Sequence, residues 1–167
     1  MIILDTCILS SLAKINRLDL LHILFRKHFC YITPSILQEL NTNKIAGFKF
    51  VDKIEEMLSF IDVKNKICVL SPELEELEQA YTIKDTHNLS LVDCECIVLA
   101  RTRDAILLTD DTKLGNAALE EGILEVDDLK SLLRANIVKG TINGRNETGE
   151  IIDKLRKNNY SLFTKKD

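Results

Sequence analysis

Short apolar runs that alternate with helix-length amphipathic stretches confine this chain to the α/β class. Met1 to Leu4, Phe29 to Ile32, Ile67 to Leu70, Ile106 to Leu108 and Ile123 to Val126 read as strands, and the segments between them carry apolar residues at helical spacing. In a parallel sheet the C-terminal ends of the strands open onto one crevice, where such folds build their sites. Two of these runs stop on acid. Asp5 follows Met1-Ile2-Ile3-Leu4, and Asp110-Asp111 stand just past Ala105-Ile106-Leu107-Leu108. Glu39 and Asp93 lie on intervening helical stretches. Unit charges about 4 Å apart repel by roughly 4 kcal/mol at an effective dielectric near 20, so converging carboxylates need a cation. A hard divalent ion, Mg²⁺ or Mn²⁺, bound through oxygen and keeping several waters, answers that need.

Helix signals support the alternation. A stretch from about Ile8 to Phe25 carries Leu9, Leu12, Leu20, Leu21 and Leu24 near helical spacing. Thr33-Pro34 marks a helix start, with Thr33 as N-cap and Pro34 at the first helical position. That helix carries Glu39 and fades near Asn41-Thr42-Asn43; another runs from about Val51 to Phe60. Ser71-Pro72 followed by Glu73, Glu75, Glu76 and Glu78 opens a helix whose acids suit the dipole. Leu89 to Ala100 is a compact helix, Asp111-Thr112-Lys113 opens one that Gly122 terminates, and Asp127 to Ala135 forms the next. A loop over Gly140 to Asn146 precedes an amphipathic helix from Glu147 to Asn158.

At 167 residues and 46% hydrophobic content the chain has the size of one ordinary domain with a full core. The five cysteines are odd in number and follow no C-x-x-C spacing, which reads as reduced, mostly buried thiols in a cytoplasmic protein. Scattered histidines disfavour zinc. No basic flank precedes an apolar segment at the start, so neither a signal peptide nor a membrane span is expected. The net charge is −4, yet eight of the 22 bases and only four of the 26 acids lie from Arg134 onward. The tail is basic and the body acidic, so a phosphate-bearing substrate near the body needs a metal or the tail. Lys154, Arg156 and Lys157 are the candidate nucleic-acid contacts; a solvated helix face is the plain alternative.

Four acid-bearing motifs in order carry a resemblance: Ile3-Leu4-Asp5-Thr6; Thr33-Pro34-Ser35-Ile36-Leu37-Gln38-Glu39-Leu40; Leu89-Ser90-Leu91-Val92-Asp93 with Leu99-Ala100; and Leu107-Leu108-Thr109-Asp110-Asp111-Thr112-Lys113-Leu114. Together they resemble the PIN-domain ribonuclease family over roughly residues 1 to 126. The region 127–167 is similar to the C-terminal helical extension of a prokaryotic subgroup related to toxins of toxin-antitoxin pairs, packed on the same domain. The resemblance implies an α/β/α three-layer sandwich around a central parallel sheet and a Mg²⁺- or Mn²⁺-dependent endoribonuclease. Carried over by position, it implies Asp5 as central metal ligand, Asp93 and Asp111 as its partners, and Glu39 as an inner or water-mediated ligand. Thr6, Ser90 and Thr109 would orient carboxylates or water. Thr-x-Asp spacing favours Asp111 over Asp110, which is a second ligand or a turn former. The subgroup often starts the Asp93 helix with Gly-Glu, where this chain has Val92-Asp93. RNA is the implied substrate, and an antitoxin or a second copy the implied partner.

Plainer uses compete at each position. Ser90-x-x-Asp93 fits a capping box, Asp110-Asp111 a helix N-cap, and Glu39 a solvated helix acid. Glu95, two positions after Asp93, lies about 200° around the helix and is a poor co-ligand. Two other functions remain in view: a catalytically silent RNA-binding or protein-interaction module, and an aspartate-based phosphoryl-transfer protein. The absence of Asp-x-Asp at Asp5-Thr6-Cys7 weighs against the latter.

Overall fold

The structure, a computed structural model, describes residues 1–160. Its sheet is built from β1 (Ile2–Leu4), β2 (Cys30–Ile32), β3 (Leu58–Ser59), β4 (Ile67–Val69), β5 (Ile106–Leu108) and β6 (Val126–Asp127). The order is β3-β4-β2-β1-β5-β6, and every pairing is parallel. Ile2, Ile3 and Leu4 of the central strand are wholly buried. A parallel sheet covered on both faces selects continuous apolar runs of this kind over alternation.

The helices are α1 (Thr6–Lys14), α2 (Asp19–Leu24), α3 (Pro34–Ile45), α4 (Phe50–Glu55), α5 (Leu74–His87), α6 (Leu91–Thr102), α7 (Thr112–Glu120), α8 (Leu129–Val138) and α9 (Gly144–Lys157). Together with the parallel sheet they make the α/β architecture expected of the chain. After β1 the chain builds β2 on one side of it and, much later, β5 on the other. The order therefore reverses beside β1, and the crevice at such a switch point is where open α/β sheets bind ligands. Among the described residues no helix is long and apolar enough to cross a membrane.

Several elements depart from the sequence expectation. The expected helix over 8–25 is two helices, α1 and α2. Asn16 takes a left-handed conformation at φ 60°, and a Schellman pair closes α1: Arg17 N–H donates to Leu12 O at 2.9 Å and Asn16 N–H to Ala13 O at 3.1 Å. The helix over 51–60 stops at Glu55, because Leu58 and Ser59 pair with β4 as an edge strand. Glu73, rather than Ser71, caps α5, in a capping box with Glu76. β6 forms at Val126 and Asp127, two residues that register with Leu107 and Leu108. The loop expected through Asn146 ends at Asn143, where α9 begins. Gly122, at φ 87°, closes α7 as expected.

Candidate active site

Asp5 is the residue after β1, and its backbone N–H still donates to Leu108 O at 3.1 Å, as though the strand continued. It occupies the N-cap position of α1 without using its carboxylate as a cap. Oδ2 instead accepts from Thr109 Oγ1 at 2.7 Å and from Cys7 Sγ at 2.7 Å. Thr109 Oγ1 also accepts the Asp111 N–H at 3.0 Å, and Cys7 Sγ accepts the Asp110 N–H at 3.3 Å. Residues 5–7 and 109–111 are thereby stitched together across the ends of β1 and β5. Burial, then the charge of Asp5 and the hydrogen bond to it, push the Cys7 thiol far above its usual range, so it stays a neutral S–H donor.

The neighbouring elements bring the other acids to the same end of the sheet. Thr33, just past β2, caps α3 by accepting the Ile36 N–H at 3.2 Å. One face of α3 then carries Ser35 and Glu39, four residues apart. Thr6 Oγ1 donates to Glu39 Oε2 at 2.7 Å. On α6, Ser90 and Asp93 form a capping box: Ser90 Oγ accepts the Asp93 N–H at 3.1 Å, and Asp93 Oδ2 accepts from Ser90 Oγ at 2.7 Å and Ser90 N at 3.2 Å. Burial raises the Asp93 carboxyl, the Ser90 hydrogen bonds oppose that rise, and the charges of Asp5 and Asp111 add to it. Asp93 therefore lies within the field of both Asp5 and Asp111.

Asp111 caps α7, with Oδ1 accepting the N–H groups of Lys113 at 2.7 Å and Leu114 at 3.0 Å. Asp110 turns toward the C-terminal helices, where Oδ1 accepts the Leu129 N–H at 2.9 Å. Burial raises its carboxyl, against the pull of Leu129 and of the Tyr160 phenol beside it, and with the charges of Asp128 and Asp5. The capping roles expected of Asp93 and Asp111 are thus real, but each uses one oxygen. Among the described residues the second oxygens of Asp5, Asp93, Asp111 and Glu39 accept no hydrogen bond. Lys154, Arg156 and Lys157 lie in the last turn of α9.

Two contributors escaped the sequence reading. Cys7 gave no signal beyond standing two residues after Asp5. Glu95 stood in an otherwise apolar run, Cys94-Glu95-Cys96-Ile97, and is only 5% exposed. Its Oε1 accepts from Ser35 Oγ at 2.8 Å, while Oε2 is buried and meets no partner among the described residues. It joins α6 to α3, the two helices that bear Asp93 and Glu39. Burial and then the charges of Asp5, Asp93, Glu95 and Glu39 all raise the Cys96 thiol.

Among the described residues no three His, Cys, Asp or Glu side chains stand close enough to close around a metal ion unaided. The candidate donors at this end of the sheet are all carboxylates, each with one oxygen to spare. That chemistry fits a hard, strongly hydrated ion such as Mg²⁺, which is held through one or two carboxylates and fills its remaining positions with water.

A family model described as PIN domain (DUF3368) matches residues 1–165. The chain belongs to the PIN domain family. This PIN domain is also 32% identical over 90 residues, 53% of its length, to Endoribonuclease Nob1 of Methanocaldococcus jannaschii. That alignment spans 40% of the Nob1 chain. Among solved structures it resembles PAE2754 from Pyrobaculum aerophilum, with a TM-score of 0.56 at 17% identity, over 81% of this chain and 95% of that one. The second likeness is one of fold.

Proposed function

We propose that this PIN domain is an endoribonuclease that hydrolyses RNA phosphodiester bonds with Mg²⁺ or Mn²⁺. The observation that carries the reading is the Thr109 hydroxyl that ties the Asp5 carboxylate to the Asp111 backbone at the switch point beside β1, with Glu39 bound to Thr6 next to Asp5. Family membership supports a nuclease generally, and the partial likeness to a protein named an endoribonuclease supports RNA as the substrate. In this reading residues 1–126 form the catalytic part and 127–167 an extension packed on it, of which residues 161–167 lie outside the described residues. The ion pair of Arg17 with Glu147 at 2.8 Å, and the Asp110 bond to α8, support that packing.

Asp5, Asp93 and Asp111 would hold the ion, with Glu39 reaching it directly or through water and Asp110 as a further ligand through its second oxygen. When bound, a divalent ion supplies polarisation of a phosphoryl oxygen and a water of lowered pKa. The chain's own part is positional. Thr109 and Cys7 fix the Asp5 carboxylate, Thr6 fixes Glu39, and Ser90 fixes Asp93, each through one carboxylate oxygen. The uncompensated acids also repel RNA until a cation is present.

Lys154, Arg156 and Lys157 would meet RNA phosphates from α9. The five free cysteines support a reducing compartment, and the cytoplasm is the location this reading adopts. Restraint by an antitoxin extends the same proposal: the apolar groove between α8 and α9, lined by Leu133, Ile137, Ile142, Ile151 and Ile152 with Arg134 at its rim, suits an acidic amphipathic segment. A homodimer is the other form of restraint, and solution mass decides it.

The first experiment is thermal unfolding against Mn²⁺ and Mg²⁺ for wild type and Asp5→Asn. A metal-dependent rise in wild type that the variant lacks is expected, since a ligand that binds only the folded state raises its melting temperature. No rise in either protein would favour a silent module, in which the capping bonds of Asp93 and Asp111 are those residues' whole purpose.

A further inference from the structure

Away from the acidic crevice, the C-terminal end of α1, the turn before α4 and the end of α9 enclose an open groove. It is lined by Ala13, Lys14, Phe48, Lys49, Phe50, Lys53 and Asn158, with three lysines and no acid. In a chain with 26 acids and 22 bases that is a local inversion of sign. The adjoining groove, which shares Lys53, holds Asp19 and Glu56, and its Arg17 is paired with Asp19 and Glu147. Charge cancels there and stands uncancelled in the first.

The pairing pattern sharpens the contrast. Asp52 and Glu55, the acids of α4, are both engaged by Lys44. Lys14, Lys49 and Lys53 make no ion pair among the described residues. Lys53 Nζ donates to Ala13 O at 3.4 Å, and Lys14 Nζ stands 5.0 Å over the Phe50 ring. Phe48 lies 6.0 Å from Phe50, ring centre to ring centre, and is 52% exposed. A large ring left half in water among unpaired ammonium groups is poorly explained by packing. It is what a strand of stacked bases on a phosphate backbone requires, because aromatic faces take bases and lysines take phosphates.

We propose that this groove binds single-stranded RNA, with Phe48 as the stacking face and Lys14, Lys49 and Lys53 as the phosphate contacts. The inference rests on the nuclease reading for RNA as the ligand, and it adds a second contact region to that substrate. Over the nine residues of α1, at about 1.5 Å rise per residue, Lys14 stands roughly 12 Å along the axis from Thr6 at the crevice. One extended strand thus reaches both. The groove also receives the α9 end: Asn158 lines it, and Asn158 Nδ2 donates to Lys154 O at 2.8 Å.

The test measures binding of a fluorescein-labelled oligouridylate by anisotropy, in chelator, so that no cleavage occurs, across a range of salt. The proteins are wild type, the triple variant Lys14→Gln/Lys49→Gln/Lys53→Gln, and Phe48→Ala, all full length. The triple variant is expected to bind weakly, with a log–log salt slope shallower by about two, at roughly 0.7 per single-strand phosphate contact. Phe48→Ala is expected to bind about tenfold more weakly with its slope unchanged. Failure of the wild type to bind, or an unchanged slope in the triple variant, would overturn the proposal and leave the groove to a protein partner. The metal-dependent melting shift is read on the same protein preparations without chelator or RNA. Its presence with unaltered RNA binding in the variants sinks the groove alone, and its absence with impaired binding in the variants sinks catalysis alone.

Discussion

Thr109 Oγ1 donates to Asp5 Oδ2 at 2.7 Å across 104 residues of sequence, and the same oxygen accepts the Asp111 N–H at 3.0 Å. One hydroxyl therefore sets the positions of two candidate metal ligands. Thr109 is only 4% exposed, so water cannot replace it. Thr109→Val is expected to destabilise the fold by about 1–3 kcal/mol, the usual penalty for stranding buried polar groups, and to lower RNA cleavage. Thr109→Ser should retain most of both. Chemical denaturation and single-turnover cleavage of the two variants distinguish lost orientation from lost folding.

Asp5→Asn is expected to reduce cleavage by about a hundredfold or more, since a divalent ion contributes several kcal/mol of charge stabilisation in such reactions. Retention of near-normal rates at saturating Mn²⁺, in a folded variant, would remove Asp5 from the metal site.

Asp93 is raised chiefly by burial, with Asp5 and Asp111 adding to it. A carboxyl whose folded pKa exceeds its unfolded value binds its proton more tightly when folded, so its protonated form favours folding and ionisation withdraws that support as pH rises through the window. Asp93→Asn is therefore expected to be more stable than wild type at neutral pH without metal. The advantage should vanish as pH falls toward the ordinary carboxyl range near 3.8. Melting temperature against pH in chelator reads this directly; an equal deficit at every pH would mark Asp93 as a cap and no more.

Asp110 holds the N-terminus of α8 through Leu129. Asp110→Ala is expected to loosen α8 by about 1 kcal/mol, the typical loss of a helix N-terminal acceptor, whereas Asp110→Asn keeps an acceptor there. A folded Asp110→Asn that cleaves as poorly as Asp5→Asn would place its second oxygen on the metal. Normal cleavage would confine it to anchoring α8.

The sheet's core strands and the acid positions at its edge were legible because they depend on local pattern: Ile2-Ile3-Leu4 and Leu107-Leu108 are continuous apolar runs, and each is closed by a carboxylate or a hydroxyl-acid pair. The division of α1 from α2 was not, because the leucine stripe continues across Asn16 while the left-handed turn at that residue redirects the chain. β3 was hidden for a different reason: two residues become a strand only by pairing with β4, a non-local event. In the sequence Glu95 has only its angle from Asp93 on one helix. Its significance lies in Ser35 on another, which no spacing within Leu89 to Ala100 can reveal.

The register of β1 with β5 bears on when the acidic crevice can exist at all. Ile2 to Leu4 are synthesised well before their partners Ile106 to Leu108, which come more than 100 residues later. At a synthesis rate of about 5–20 residues per second, the central strand waits roughly 5–20 s for its second neighbour. Until then Thr109 and Asp111 have not been made, and the Asp5 carboxylate lacks the hydroxyl that holds it. An acidic crevice assembled from segments this far apart in sequence cannot exist on a nascent chain before both have been made.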